Sequence, residues 1–282
     1  MLRLLLTMKF SESQRIVIEP GRRLTGIWKE VWQYRELGLA LGLRDLRVRY
    51  KDTFLGAAWA ILQPLANMLI FSLILGRLGK LPSEGIPYPV FVYCGLLPWF
   101  LFSNSVTSSS QSIVSATHLI KKVYFPRLLI PISSLGVNVL DFIVSAGLVV
   151  VLMLVYKIAP SWAVLLTPIL ALGVLMLALG IGLILASMSV TFKDFRFIIP
   201  FILQIWMFAT PVVYSSSLIP EKWRLLVYLN PMAGYADGFR YALLNGRFPG
   251  VELLVAMAMT IGVLLFGLKS FSAVERNLAD EL

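Results

Sequence analysis

The sequence predicts an all-α integral membrane protein with six transmembrane helices. Its 282 residues are 58% hydrophobic and only 14% charged, whereas soluble domains carry about 25% charged residues. Two long stretches are almost free of charge: residues 85–117 contain no Asp, Glu, Lys or Arg, and residues 128–156 contain only Asp141. Each stretch is long enough for a helix that crosses the roughly 30 Å hydrocarbon core of a bilayer.

Residues 1–52 are predicted to form a cytoplasmic tail and an amphipathic helix. The first 26 residues are mixed and polar, and from Ile27 apolar side chains recur along one helical face before a group of cations. The apolar residues are Trp28, Val31, Trp32, Leu39, Leu43 and Leu46, and the cations are Arg44, Arg47, Arg49 and Lys51. This pattern is typical of a helix that lies in the membrane interface. A cytoplasmic helix packed on a soluble partner would show the same pattern.

A single six-span domain is predicted over residues 53–282. The spans are expected at 53–76, within 88–117, within 128–156, within 162–190, at 197–214 and at 251–268. Residues 215–250 instead mix charged and apolar side chains, and Asn230 followed by Pro231 is a helix-start signal. Two short amphipathic helices are therefore predicted at 220–229 and 231–244, too short and too charged to cross a bilayer.

The distribution of cations predicts that both termini face the cytoplasm. Six spans put both termini on one side, and cytoplasmic loops carry an excess of Lys and Arg. With the N-terminus inside, 18 of the 25 Lys and Arg residues lie on the cytoplasmic side, and both short inner loops are basic. We attribute the net charge of +10 to contacts with anionic membrane lipids and not to nucleic acid.

The chain offers little for catalysis or metal binding. It has no Gly-x-x-x-x-Gly-Lys-Ser/Thr phosphate loop, so nucleotide hydrolysis by this chain is not expected. One Cys (Cys94) and one His (His118) give neither an internal disulfide nor a metal cluster. No catalytic residue, metal or directly bound cofactor is predicted. Asp141 is the only acid away from the ends of the predicted spans. We expect it to accept hydrogen bonds from neighbouring helices or to stay protonated, because a proton relay would need further ionisable groups at that depth.

Two cytoplasmic loops are candidate functional elements. The first, here called the basic loop, lies between the second and third spans and consists of Lys121, Lys122, Val123, Tyr124, Phe125, Pro126 and Arg127. The second lies between the fourth and fifth spans and consists of Lys193, Asp194, Phe195 and Arg196. Composition alone leaves two interpretations of the basic loop open: an ordinary cytoplasmic connection, or a docking element that receives force from a partner.

Aromatic residues cluster near the predicted outer halves of the second and fifth spans. They are Trp99, Phe100, Phe102, Trp206, Phe208 and Tyr214. Interfacial belts of Trp and Tyr are common at span ends. Alternatively, these rings line a channel and stack against the C–H faces of sugars, which requires several of them to point inward.

Seven short motifs occur in order along the six-span frame. They are 44–51 (RDLRVRYK), 55–59 (LGAAW) with Leu62 and Pro64, 95–99 (GLLPW), 122–127 (KVYFPR), 192–196 (FKDFR), 210–212 (TPV) and 230–233 (NPMA). Each motif is weak by itself, but the ordered set is specific. With these motifs the chain resembles, over nearly its whole length, the membrane subunit of ABC-2 type exporters of polysaccharides and teichoic acids.

The resemblance implies a homodimer in which each copy docks one ATPase subunit that binds ATP and Mg²⁺. It implies a bacterial inner membrane and a lipid-linked glycan substrate of O-antigen, capsule or teichoic acid type. The basic loop would be the coupling element, and the two short helices would re-enter the membrane as outer gates. Lys121 and Lys122 would then lie where the pyrophosphate of the lipid carrier is first recruited.

Two other functional classes are weighed against this one. An ABC-2 exporter of drugs or lipids would keep the frame without a glycan, and a wide polar pore lined by aromatics would argue against it. A membrane-embedded glycan-modifying enzyme would need a cluster of carboxylates or His at one membrane face. The lone His118 and the isolated Asp141 do not provide such a cluster.

Overall fold

The computed structural model describes residues 30–51, 58–123, 125–192 and 194–275, and all regular structure in these ranges is helical. The α-helices are α1 Arg35–Tyr50, α2 Trp59–Phe71, α3 Tyr88–Ser115, α4 Thr117–Ile120, α5 Leu129–Val155, α6 Thr167–Thr191, α7 Phe195–Ala209, α8 Glu221–Tyr228, α9 Pro231–Leu244 and α10 Gly250–Glu275. A π-helical segment, Ser72–Leu78, extends α2, and 3-10 turns occur at Trp162–Leu166 and Ser216–Leu218. The predicted tail at 1–26, the start of the first span, Tyr124 and Lys193 lie outside the described residues.

In the described part of the chain, five helical segments are long and apolar enough to cross a membrane, which confirms the predicted class of a polytopic helical membrane protein. They are Trp59–Leu78, Tyr88–Ser115, Leu129–Val155, Trp162–Val190 and Gly250–Glu275. The predicted fifth span corresponds to α7, which is shorter than expected. It has 15 residues, or roughly 22 Å at about 1.5 Å per residue.

The reason for the early end of α7 is the proline that follows it. Thr210 is extended, with φ −100° and ψ 140°, because a residue before proline is driven out of the helical region. Pro211, Val212 and Val213 continue as a buried turn. The predicted short helices at 220–229 and 231–244 are confirmed as α8 and α9, and the Asn230 side chain caps α9 by accepting from the N–H of Met232 at 3.1 Å.

Helix α3 is the buried centre of the bundle. It packs against α5, α6 and α9 and also contacts α2 and α7. Its polar residues tolerate this position because several hydroxyls bond to their own helix: Ser110 donates to the Thr107 carbonyl at 2.8 Å and Ser112 to the Ser109 carbonyl at 2.7 Å. Such internal bonding satisfies polar groups where water is absent.

The spans approach one another through glycine. A β-carbon at Gly267 of α10 would lie 2.3 Å from the Gly180 carbonyl oxygen of α6, and one at Gly182 would lie 2.6 Å from the Ser109 side chain of α3. Small residues allow helix backbones to come close, and this packing drives association between helices in lipid. The α6–α10 contact therefore leaves no room for a side chain at either glycine.

Helix α1 lies alongside the first half of α5. A β-carbon at Gly38 would lie 3.1 Å from Leu129, and one at Gly42 would lie 3.4 Å from the Ser133 carbonyl. Further along, Tyr50 bonds to Asp141, again 91 positions away. The constant offset shows that the two helices run parallel in one register.

The buried side of α1 is not its predicted apolar stripe. Leu41 is buried against the bundle, whereas Trp32 and Leu39 are 69% and 67% exposed. Trp32, Leu39 and Leu43 of the stripe therefore face away from the bundle, whereas Val31 packs against it.

Gly267→Ala is expected to lower the thermal stability of the purified protein in detergent. The new methyl group would meet the Gly180 backbone, and overpacking of a well-packed contact costs roughly 1–3 kcal/mol. The measurement is the apparent Tm by intrinsic fluorescence. The matched control is Gly262→Ala on the same helix, where a β-carbon has no neighbour within 4 Å. Equal Tm values for the two variants would contradict the close α6–α10 contact.

Candidate functional site

The basic loop is anchored by its aromatic and proline residues and presents its cations outward. Phe125 is only 3% exposed and belongs to an apolar cluster that includes Leu183 of α6 and Phe271 of α10. Pro126 is also buried, whereas Lys121, Lys122 and Val123 are exposed. This arrangement gives the loop a fixed base and a positively charged outer surface beside a cavity of about 250 Å³.

Arg127 ties the basic loop to the end of α10. Its backbone N–H donates to the Glu275 carboxylate at 3.1 Å, and its guanidinium donates to the Glu275 backbone carbonyl. The loop that follows α3 and α4 is thereby joined to the last residue of α10. These bonds and the cluster that contains Phe125 and Phe271 connect the loop to α10.

The second predicted loop is shorter in the structure than in the prediction, because Phe195 and Arg196 already belong to α7. Asp194 and Arg196 are exposed, and the Arg196 guanidinium lies over the Phe197 ring at 5.3 Å. Since α6 ends and α7 begins here, this loop lies at the same end of the bundle as the basic loop.

Asp141 receives polar groups from the end of α1, as expected for a carboxylate bonded across helices. Arg49 Nη2 lies 2.7 Å from its Oδ2, with the two side chains 45% and 9% exposed, and the Tyr50 hydroxyl donates to its Oδ1. Burial, followed by the hydrogen bond to Asp141, raises the pKa of Tyr50 to about 12, so Tyr50 remains a donor at neutral pH. The only acid of α5 is thus held by a cation and a phenol.

A small polar cavity of about 50 Å³ adjoins this ion pair. Its polar lining includes Gln63, Asn104, Asn138 and Ser145, beside aromatic rings of α2 and α3. Asn138 donates to the Ser108 hydroxyl at 2.7 Å, and Ser145 donates to the Ala60 carbonyl at 2.7 Å. Polar side chains therefore join α2, α3 and α5 at a depth where lipid could not satisfy them.

A stripe of half-exposed polar residues runs along α3. Its members recur at helical spacing, and the residues between them are buried: Ser103, Asn104, Thr107, Ser108 and Gln111. Within the described residues, the side-chain amides of Asn104 and Gln111 have no hydrogen-bond partner. The stripe therefore requires water, a ligand or another protein surface, because lipid tails offer no hydrogen bonds.

At the opposite end of the bundle, the Arg240 guanidinium joins three elements. It donates to the Val212 carbonyl at 2.6 Å, pairs with Asp237 at 3.1 Å and lies 4.0 Å from the centre of the Phe91 ring. A β-carbon at Gly95 would lie 2.3 Å from the Val212 oxygen and 2.9 Å from Arg240 Nη2. This contact explains why the GLLPW stretch begins with glycine.

The six candidate aromatics do not share one environment. Trp99 and Phe102 are buried and pack against each other at 5.5 Å, and Phe102 contacts Trp206 at 5.3 Å. Phe100 lines the Asp141 cavity. Phe208 is 54% exposed and contacts Phe71 at 6.4 Å, and the Tyr214 hydroxyl donates to the Phe208 carbonyl at 3.4 Å. Within one chain, Trp99 and Phe102 are core residues, while Phe100 and Phe208 have faces available for other contacts.

Sequence reasoning missed two of these arrangements. The sequence places Arg49 among the cations of the predicted interfacial helix, and no local pattern links it to Asp141, which lies on another helix. Arg240 is not among the candidate residues of the sequence analysis. Its spacing of three residues from Asp237 is an ion-pair signal on a helix, but the contacts with Val212 and Phe91 depend on tertiary structure.

The ion pair predicts an energetic coupling between Arg49 and Asp141. Arg49→Gln and Asp141→Asn should each lower stability, and the double variant should lose less than the two losses added. Coupling energies between contacting residues are roughly 0.5–3 kcal/mol, and we expect the lower end because solvent screens the half-exposed Arg49. The measurement is a double-mutant cycle of unfolding in detergent.

The control cycle pairs Arg44→Gln with Asp141→Asn. Arg44 is on the same helix and is similarly exposed, but it bonds to its neighbour Asp45 at 2.8 Å. No coupling is expected in that cycle. Equal coupling in both cycles would contradict a specific Arg49–Asp141 interaction.

Comparison with known proteins agrees with this geometry. A family described as ABC-2 type transporter matches residues 36–244. The chain is 36% identical over 252 residues to an O-antigen export system permease protein RfbA of Myxococcus xanthus, covering 88% of this chain and 96% of that protein. It is 30% identical over 243 residues to the RfbA permease of Klebsiella pneumoniae, covering 85% and 92%.

A polysialic acid transport protein, KpsM of Escherichia coli, is 28% identical over 251 residues, covering 84% of this chain and 92% of that protein. The family match extends from α1 through α9, and therefore includes the basic loop, the Asp141 pair and the Arg240 cluster. Relatives named as permeases, together with the helical membrane architecture, describe a transport protein and not an enzyme. This chain belongs to the ABC-2 type transporter family.

Proposed function

We propose that the chain is the pore-forming subunit of an ATP-driven exporter that moves a lipid-linked polysaccharide of O-antigen or capsule type. Transport would run from the cytoplasmic to the outer face of a bacterial inner membrane. The observation that carries the proposal is the near full-length similarity to permeases named for O-antigen export and for polysialic acid transport. ATP would be hydrolysed by separate subunits, because this sequence has no phosphate loop of its own.

The polar stripe on α3 supports a hydrophilic passage. Hydroxyl and amide groups that are half-exposed in one chain would become the wall of an aqueous path when two copies face each other. A polysaccharide is rich in hydroxyl groups, and these exchange hydrogen bonds with Asn, Gln, Ser and Thr without a large desolvation penalty. We therefore infer a homodimer with its passage between the copies, each bound to one ATPase subunit.

The basic loop supports coupling to those ATPase subunits. Its exposed cations and Val123 form the outer surface, while Phe125 and Arg127 connect it to α6 and α10. A lateral displacement caused by closure of the ATPases would therefore reach the spans through packed contacts. Lys121 and Lys122 would also attract the pyrophosphate of the lipid carrier, because charge-assisted bonds to phosphate are strong.

Deletion of the gene for this permease is expected to trap lipid-linked glycan at the cytoplasmic face. The host's glycan would be separated into internal and surface pools and its sugars identified. The wild-type chain should restore the surface pool, and the variant Tyr124→Ala/Phe125→Ala should not. Unchanged pools after deletion would contradict glycan export and would favour an exporter of drugs or lipids, to be tested by stimulation of the partner ATPase with small amphiphiles.

Charge reversal at Lys121→Glu/Lys122→Glu is expected to reduce glycan export while the ATPase subunit still co-purifies. Losing attraction for the pyrophosphate should weaken recruitment by about tenfold or more, which corresponds to about 1.4 kcal/mol. The measurement is the surface glycan pool together with the amount of ATPase retained by the purified permease.

The matched control is Lys80→Glu/Lys157→Glu. It makes the same change of net charge at two exposed lysines at the other end of the bundle. Export should remain close to wild type in this control. Normal export by the Lys121/Lys122 variant would refute the recruitment role, and loss of ATPase co-purification would assign these lysines to docking instead.

A further inference from the structure

A second polar cavity lies at the end of the bundle opposite the basic loop. Its volume is about 240 Å³. It is enclosed by the connection between α2 and α3, the turn before α8, and the helices α8, α9 and α10. None of its lining residues belongs to the α3 stripe or to the cavity beside Asp141, so it is a separate site.

The inner wall of the cavity is a rigid network of ion pairs and hydrogen bonds. Arg240 is only 5% exposed, pairs with Asp237 at 3.1 Å and is fixed by the Val212 carbonyl. The Tyr228 hydroxyl donates to the other Asp237 oxygen at 3.0 Å. Burial and the nearby Asp237 raise the pKa of Tyr228 to about 12, so this donor is retained at neutral pH. Such a network holds the cavity in shape without a ligand.

Several lining groups keep unused hydrogen-bonding capacity. The Nε atoms of Arg240 and Arg224 are buried and have no hydrogen-bond partner within the described residues. Arg247 and Glu252 also line the cavity, and neither forms an ion pair with another described residue. Arg224, Arg247 and Glu252 therefore bring charged groups without a described ion-pair partner to one cavity, where a ligand or ordered water can bond to them.

The charge balance of the lining constrains the ligand. Arg224, Arg240 and Arg247 are opposed by Glu84, Asp237 and Glu252. A strongly anionic ligand would be repelled by Glu84 and Glu252, and a cationic ligand by the arginines. A neutral ligand with many hydroxyl groups suits such a lining, because each hydroxyl both donates to a carboxylate and accepts from a guanidinium.

We propose that this cavity is a saccharide-binding site that holds a sugar unit of the exported chain at the outer end of the permease. The proposal rests on the function proposed above and adds a second glycan contact, away from the α3 stripe. Arg224 and Glu252 would bond directly to sugar hydroxyls. Arg240, Asp237 and Tyr228 would position Arg224 and Glu252 by holding the inner wall of the cavity in place.

The test is a binding measurement on the full-length permease purified with its ATPase subunit. The probe is the host's own surface polysaccharide, freed of lipid by mild acid, with inorganic pyrophosphate as a competing anion. The readout is intrinsic tryptophan fluorescence, because Trp223 adjoins Arg224 on α8 and is 54% exposed. A Trp223→Phe variant should lose most of the signal change and so assign it to this site.

Arg224→Gln and Glu252→Gln should each weaken polysaccharide binding by about tenfold, the effect of losing a charge-assisted hydrogen bond. The matched control is Lys222→Gln, an exposed cation on the same helix that does not line the cavity. It should bind like wild type. Size-exclusion elution identical to wild type would show that the variants fold. If one of the two variants does not fold, the other still tests the proposal.

Equal binding by wild type, Arg224→Gln and Glu252→Gln would overturn the proposal, and so would competition by pyrophosphate, which would indicate an anion site. The deletion experiment separates this outcome from failure of the proposed function. If deletion traps glycan but Arg224→Gln binds polysaccharide like wild type, only the proposed saccharide site is refuted. If glycan pools are unchanged by deletion while binding still depends on Arg224, the export function fails and the site remains.

Discussion

The end of the bundle opposite the basic loop depends on one buried cation. Arg240 is almost inaccessible and yet charged, and an unpaired charge in such a place would be strongly destabilising. Asp237, the Val212 carbonyl and the Phe91 ring together compensate it. Because these partners come from α9, the turn after α7 and α3, the requirement to satisfy one guanidinium fixes three elements relative to one another. Gly95 follows from the same requirement, since only a residue without a side chain leaves space for both Val212 and Arg240.

This constraint also brings together three motifs that are far apart in the sequence. The stretch beginning at Gly95 contacts Val212 of the TPV stretch. Asn230, which opens the NPMA stretch, donates to the Thr210 hydroxyl at 2.7 Å and caps α9 through Met232. The three motifs therefore form one structural unit around the end of α7. This unit surrounds the turn that leads from α7 towards α8 and α9. Residues of α8 and α9 in turn line the cavity beside Arg240.

Hydropathy predicted the class of the protein and the positions of its helices well, because lipid imposes a simple requirement on every span. The cap at Asn230 and the breaks around α8 and α9 were also readable, since they depend on neighbours in the chain. The sequence analysis did not predict the length of α7, although a residue before proline, here Thr210 before Pro211, is disfavoured in a helix.

The lateral contacts escaped prediction for a different reason. Arg49 meets Asp141 and Gly180 meets Gly267 only because two helices are adjacent in a particular register. Nothing in either local sequence states which helices are neighbours. The same holds for the aromatics: Trp99 and Phe208 are equivalent by composition, but one is buried in the core and the other is exposed.

Two helices connect the basic loop with the cavity beside Arg240. Helix α10 bonds through Glu275 to Arg127 of the basic loop at one end, and its other end contributes Glu252 to the cavity. With 26 residues it spans roughly 39 Å at about 1.5 Å per residue. Helix α3 also connects these two regions. Its residue Ile113 belongs to the cluster around Phe125, and its residue Phe91 lines the cavity beside Arg240. Both helices pack closely against α6 at glycine, Gly267 of α10 against the Gly180 backbone and Ser109 of α3 against Gly182. Both helices therefore run from the basic loop to the cavity beside Arg240, and in the proposed coupling a displacement of the loop would reach that cavity through them.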